Sequence, residues 1–301
     1  MPDGIESCYT DGMIQEKAYA KLNISLDVSR PRDDGYHDMR MIMQSVTLCD
    51  DISLEVTESG KVFARTSLPY IPGDERNLAV KAARLFLEQT GHAGKGVAIT
   101  IEKNIPVGAG MAGGSSDAAA VLRALNKAFG TPLDGAQLCS IAERVGSDVA
   151  FCVLGGTALA EGRGEILTQL SPFPACRIVI AKPEFSVSTP ELFRALDAVK
   201  LRVHPDTDGI IQALDCGNLV NVCRRMYNVF EDVPDRRMRV VGEIKARLSN
   251  AGALGSIMTG TGSAVYGIFE ETADVSSLVS ELKKEYGFAV MAKPKEKERI
   301  G

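Results

Sequence analysis

The chain has 301 residues, with 34 Lys and Arg against 39 Asp and Glu for a formal net charge of −5, 45% apolar residues and 24% charged ones. These values fit neither a disordered nor a membrane-spanning chain, and a net negative charge supplies no long-range field for gathering a nucleic-acid duplex. The length predicts two domains sharing a cleft. Glycine is in excess, 29 residues against a usual share of roughly 7%, so the positions of the glycines matter.

The first sixteen residues contain Asp3, Glu6, Asp11 and Glu16 and no Lys or Arg, which does not read as a secretory signal. From Ala18 the string AYAKLNISLDV alternates, with Ala20, Leu22, Ile24, Leu26 and Val28 on one face and Lys21, Asn23, Ser25 and Asp27 on the other. That period predicts a half-buried strand with Lys21 and Asn23 side by side. Ile52, Leu54 and Val56 predict another strand, and Val97, Ile99 and Ile101 a third. Between them, Asn77 to Gln89 has helical spacing and ends at Gly91.

The segment IPVGAGMAGGSSDAAAVLRALNKAFG then runs from a glycine-rich loop straight into an alanine-rich helix, with Ser115 or Ser116 suited to its N-cap. A second helix is predicted over Asp134 to Val145. Gly155, Gly156, Gly162 and Gly164 suggest a tight connection at a domain border near residues 155–165. Downstream, RIVIAKP reads as a strand, STPELFRAL as a helix capped by Ser188 or Thr189, and 207–249 as mainly helical. The uncharged stretch Ala251 to Phe269 is long enough to span a bilayer, but its five glycines predict turns and buried strands instead. Seven scattered cysteines without a CxxC argue for buried thiols in a reducing cytoplasm, not for a disulfide framework or zinc site. The organisation is therefore a mixed α+β chain in two halves.

Gly108, Gly110, Gly113 and Gly114 leave backbone N–H groups uncovered at the positive end of a helix dipole, which is an anion site. The Gly108-x-Gly110-x-x-Gly113 spacing also fits a dinucleotide fold. That reading wants an acidic residue ending the next strand about 20 positions on, and Asp134 sits at a helix start instead. No Walker A sequence occurs.

Three blocks, in order, carry a resemblance: AYAKLNISL, PVGAGMAGGSSDAAA and MTGTGSAVYG. The chain resembles the GHMP kinases. The blocks DGYH, ERNL, GSDVAF, EGRGEIL and STPELF place it nearest the branch that phosphorylates a cytidine diphosphate-linked methylerythritol in the non-mevalonate route to isoprenoid precursors. The resemblance implies an N-terminal half like ribosomal protein S5 domain 2 and a C-terminal half of ferredoxin-like type, divided as residues 1–160 and 161–301, with the active site in the cleft between them. It also implies ATP as co-substrate with magnesium, small-molecule substrates only, no nucleic acid, no membrane and no obligate protein partner. A kinase for a smaller alcohol, such as homoserine or mevalonate, and a non-catalytic nucleotide sensor are the competing expectations.

The resemblance also distributes roles. Asp148 becomes the general base and Lys21 its cationic partner. Pro106, Val107, Gly108, Ala109, Gly110, Met111, Ala112, Gly113, Gly114, Ser115 and Ser116 wrap the ATP phosphates. Asn77, Leu78 and Lys103 border the adenosine, while Thr259, Gly260, Thr261, Gly262 and Ser263 close the site from the second half. Asn23 and Thr189 fall to the erythritol portion, and Tyr36, His37 and Phe193 to the cytidine. Magnesium ligands stay unassigned, with Ser115 or Ser116 open. Met111, Ala112, Ala150 and Cys152 depart from the usual pattern without removing a functional group.

Overall fold

The computed structural model describes residues 13–32, 35, 37–130, 133–298 and 300. Two sheets organise them. In the larger, β1 (Ile14–Pro31) and β2 (His37–Thr57) form a long antiparallel pair. The N-terminal part of β2 pairs with β5 (Thr157–Gly162) and its C-terminal part with β4 (Gly96–Glu102). On the flanks lie β3 (Val62–Thr66), parallel to β4, β6 (Ile166–Gln169), antiparallel to β5, and the short β8 (Tyr227–Asn228), parallel to β1. The smaller sheet is antiparallel, ordered β11 (Phe288–Ala292), β7 (Arg177–Lys182), β10 (Val265–Phe269), β9 (Gly255–Met258).

Three helices pack on the large sheet, α1 (Leu78–Gln89), α2 (Gly113–Ala128) and α4 (Val149–Leu154), and α3 (Gly135–Glu143) packs against them. Residues 116–125 of α2 are all buried, and α2 packs against β1, α1 and α4 at once. Its alanines let those neighbours approach closely, since a helix buried on every side has no room for a polar face. The second half carries α5 (Thr189–Asp197), α6 (Thr207–Asp215), α7 (Leu219–Cys223), α8 (Met238–Asn250) and α9 (Ser276–Tyr286). Among the described residues no helix is long and apolar enough to cross a membrane.

The expected half-buried first strand is buried on both faces: Lys21 is 4% exposed, and Asn23 and Ser25 are fully buried. Its apolar residues also fail to share one face. Ala20, Leu22 and Ile24 pack with the core of the second half, while Leu26 and Val28 join the core under α1 and α2. The register of β1 against β2 shifts between Asn23 and Ser25, and an extra residue of this kind moves every later side chain to the other face. The N-terminal half of β2 escaped the sequence reading because residues 41–46 are continuously buried and so show no alternation.

The expected border at 160/161 falls inside β5. Its hairpin partner β6 also belongs to the large sheet, and the chain reaches the small sheet only at β7. After β11 the chain returns to the large sheet. Thr47 N–H donates to Lys293 O, Lys295 N–H to Ser45 O, and Glu298 N–H to Leu154 O, which ties the two halves together.

Candidate active site

A cleft of about 1100 Å³ lies between the halves. Its floor is the glycine loop: every residue from Pro106 to Ser115 lines it. Gly108 and Gly110 have φ of 64° and 76°, and Ala112 follows with φ 56°, so the loop turns through left-handed backbone three times before α2 begins at Gly113. The serine cap expected at Ser115 or Ser116 is corrected here. Ala112 holds the cap position and no side chain caps α2. Both serines already lie within the first turn, and the Ser116 hydroxyl donates to Tyr19 O at 2.7 Å and lies near Ala112 O at 3.0 Å. Uncapped first-turn amides at a helix N-terminus suit an anion better than a serine cap would.

The loop is braced from the second half. A Cβ on Gly110 would stand 2.2 Å from Thr259 O, and one on Gly260 would stand 2.9 Å from Gly110 O, so the two glycine segments touch backbone to backbone. Thr259 Oγ1 donates to Gly110 O at 3.2 Å, and Asn228 Nδ2 donates to Met258 O and Gly260 O, each at 2.8 Å. Gly260, Thr261 and Gly262 reach the cleft. Thr259 and Ser263 are fully buried beneath it, with Ser263 Oγ donating to Phe185 O at 2.6 Å. Asn23 has the same buried character: it does not line the cleft, and its Oδ1 accepts from Lys21 Nζ at 2.6 Å and Gly260 N at 3.1 Å.

Lys21 and Asp148 meet at the centre. Nζ and Oδ2 are 3.8 Å apart, and both residues line the cleft. Lys21 is held by Asn23 Oδ1 and by its own N–H, which donates to Met111 O at 3.2 Å. Asp148 precedes α4 at its N-cap position, yet its carboxylate makes no capping hydrogen bond and is 30% exposed. The short helix therefore presents the carboxylate to the cleft. Cys152, one turn further on, is buried, and burial pushes its thiol up to about 12, so it is inert beside the pair.

At one end of the cleft Asn77 and Leu78 begin α1. Asn77 Oδ1 accepts from Ala79 N at 3.0 Å and Nδ2 donates to Pro72 O at 2.9 Å, so this side chain shapes the wall. Lys103 is locked underneath between Asp117, at 2.7 Å, and Asp50. Burial works against its charge, but the two carboxylates outweigh it and hold the ammonium above its ordinary value. Burial also pushes Asp117 up to about 7, with Lys103 opposing. Asp50 and Asp117 were missed in the sequence: Asp50 lies 53 positions from Lys103, and Asp117 reads there as a first-turn helix carboxylate.

At the other end, His37 opens β2, and Thr189 and Phe193 stand one helical turn apart on α5. The His37 and Phe193 ring centroids are 4.9 Å apart, and Phe193 meets Phe230 edge-on, also at 4.9 Å. Thr189 Oγ1 is 2.9 Å from Thr261 Oγ1, which joins this wall to the glycine segment. Tyr36 lies outside the described residues. Asp197, which the sequence reading passed over, accepts from His37 Nε2 at 2.7 Å. Its signal was the spacing 189, 193, 197 along one helix face.

Among the described residues no three acidic or histidine side chains cluster in a way that could hold a metal ion. Side-chain oxygens near the loop that line the cleft include the Ser115 hydroxyl and the Asp117 and Asp148 carboxylates, while Ser116 is turned away into its backbone hydrogen bonds. That sparse set fits an ion carried mainly by phosphate and water.

Comparison with known proteins gives the family. The family model for the GHMP kinase N-terminal domain matches residues 77–156, and the model for the GHMP kinase C-terminal region matches residues 210–287. A 4-diphosphocytidyl-2-C-methyl-D-erythritol kinase of Clostridium botulinum is 44% identical over 270 residues, 90% of this chain and 96% of that protein. One of Caldicellulosiruptor saccharolyticus is 46% identical over 267 residues, 89% of this chain and 92% of that protein. A solved 4-(cytidine 5'-diphospho)-2C-methyl-D-erythritol kinase superposes with a TM-score of 0.78 at 33% identity, covering 93% of this chain and 99% of that one. A homoserine kinase from Cytophaga hutchinsonii, with a TM-score of 0.76 at 18% identity, shares the fold. The chain belongs to the GHMP kinases and, within them, to the 4-diphosphocytidyl-2-C-methyl-D-erythritol kinase family.

Proposed function

We propose that this protein transfers the γ-phosphoryl group of ATP to the 2-hydroxyl of 4-diphosphocytidyl-2-C-methyl-D-erythritol. The observation that carries the reading is the Lys21–Asp148 pair, set where the glycine loop and the His37–Phe193 wall face the same cleft. The uncapped amides of α2 receive the phosphates. The acceptor oxygen forms its bond to the γ-phosphorus as the bond to the β–γ bridging oxygen breaks, ADP leaves, and the hydroxyl proton passes to Asp148. Lys21, braced by Asn23, offsets the charge that develops on the transferred group. Ser115 and Asp148 are the side chains that would hold a magnesium ion, which would supply further charge neutralisation when bound with ATP.

In this reading Asn77, Leu78 and the Lys103 cluster form the adenosine end, while Tyr36, His37, Phe193 and Thr189 form the acceptor end. Asn23 serves the erythritol side indirectly, by holding Lys21. The phosphorylated product feeds the non-mevalonate route to isoprenoid precursors. We assign the protein to a reducing cytoplasm, supported by six free cysteines among the described residues. Its working halves are residues 1–160 and 161–301, with β6 of the second lying on the sheet of the first.

A coupled assay of ADP release over three alcohols tests the assignment. Turnover with the cytidylyl substrate and none with homoserine or mevalonate is expected. Turnover of either small alcohol without the cytidylyl substrate would overturn it.

A further inference from the structure

His37 lines the cleft, and one of its two ring nitrogens is already committed. Nε2 lies 2.7 Å from Asp197 Oδ1, and an ionised carboxylate only accepts, so the proton of a neutral imidazole must sit on Nε2. Among the described residues Nδ1 has no hydrogen-bond partner. It is therefore a bare acceptor, and the imidazole side chain is only 11% exposed, packed against Phe193. Phe193 and Asp197 are one helical turn apart on α5 and both line the cleft with His37. A single rigid element thus fixes the plane of the imidazole through Phe193 and its tautomer through Asp197.

We propose that Asp197 is a positioning residue that sets base specificity: by holding the proton on Nε2 it makes His37 an acceptor, which selects a base presenting an N–H donor over one presenting a carbonyl. Cytosine carries an exocyclic amino group where uracil carries an oxygen, so a cytidine nucleotide is accepted and its uridine counterpart places two acceptors face to face. The same pairing of a carboxylate with one imidazole nitrogen sets the tautomer of the other in metal and catalytic sites. This inference rests on the proposed reading of the cleft as a cytidine-substrate kinase.

The test compares the cytidylyl substrate with its uridylyl analogue in wild type, Asp197→Ala and Asp197→Glu, with ¹⁵N NMR of His37 in the ligand-free proteins. Wild type is expected to show the Nε2–H tautomer and a clear cytidylyl preference in kcat/KM. In Asp197→Ala the preference falls on the order of tenfold, the tautomers mix and the KM for ATP stays unchanged, while Asp197→Glu restores both the tautomer and the preference. A structural role would lower turnover of both substrates equally. An unaltered preference in Asp197→Ala, or an Nδ1–H tautomer in wild type, would overturn the inference and leave the kinase reading standing. Wild type that turns over neither pyrimidine substrate overturns the kinase reading, and the inference with it.

Discussion

The two ends of the cleft are built from different materials. The side proposed for the phosphates is backbone: Gly108 and Gly110 in left-handed conformations, uncapped amides on α2, and a second glycine segment so close that Gly110 has no room for a Cβ. The acceptor end is side chain: an imidazole, two phenyl rings and a carboxylate, three of the four presented by the one helix α5 and the neighbouring Phe230 against the opening of β2. Backbone donors read charge and cannot tell one phosphate from another, whereas side chains can tell one base from another. The division matches a co-substrate common to a superfamily with an acceptor peculiar to one branch.

Four substitutions would sharpen or break that contrast. The largest effect belongs to the centre, where the ends meet: Asp148→Asn should lower kcat by about 10²–10⁴, the usual scale of general-base help, with the KM for ATP little changed. Steady-state kinetics with both substrates varied checks this. Next, Gly110→Ala should strike the backbone end. Positive φ and the contact with Thr259 O together cost about 1–3 kcal/mol, seen as a melting temperature lowered by several degrees and a raised KM for ATP. A variant that melts like wild type and binds ATP normally would mean that the two glycine segments are not braced against each other.

Phe193→Ala should affect only the acceptor end. Loss of a stacking face costs about 1–3 kcal/mol per base, so the acceptor KM should rise at least several-fold while the KM for ATP stays constant. An equal rise in both would merge the two ends into one. The last variant concerns the buried cluster of Asp50, Lys103 and Asp117, and its effect on turnover should be the smallest of the four. The folded Asp117 carboxyl is raised to about 7 from an unfolded value of about 3.9. Its stabilising contribution is complete below about pH 4 and is lost as the pH rises through about 7. Thermal melts should show a flatter dependence across that window in Asp117→Asn than in wild type.

The backbone end was the more legible in sequence, because a glycine needed for φ or for close approach announces itself by composition and spacing. Gly108 and Gly110 were visible as part of an anion loop, whereas Gly260 and Gly262 entered through the resemblance to the GHMP kinases. What the sequence hid was pairing across distance. Lys103 lines the cleft but is also held between Asp50 and Asp117, and Asn23 braces Lys21, pairings that no local spacing shows. The regular alternation of the first strand concealed the bulge after Asn23, since a register shift against β2 leaves no mark in the β1 sequence itself. Asp197 was legible in principle, two helical turns beyond Thr189, but only the position of His37 on another element gives that spacing a meaning.

The central claim is that Lys21 and Asp148 act as one unit at the meeting point of the two ends. A double-mutant cycle on kcat tests it most directly, using Lys21→Met, Asp148→Asn and the combined variant under saturating ATP and cytidylyl substrate. If the pair is one device, the double variant should be no slower than the slower single variant, because removing either partner already disables the other. Losses that multiply would show two independent contributions and contradict the account.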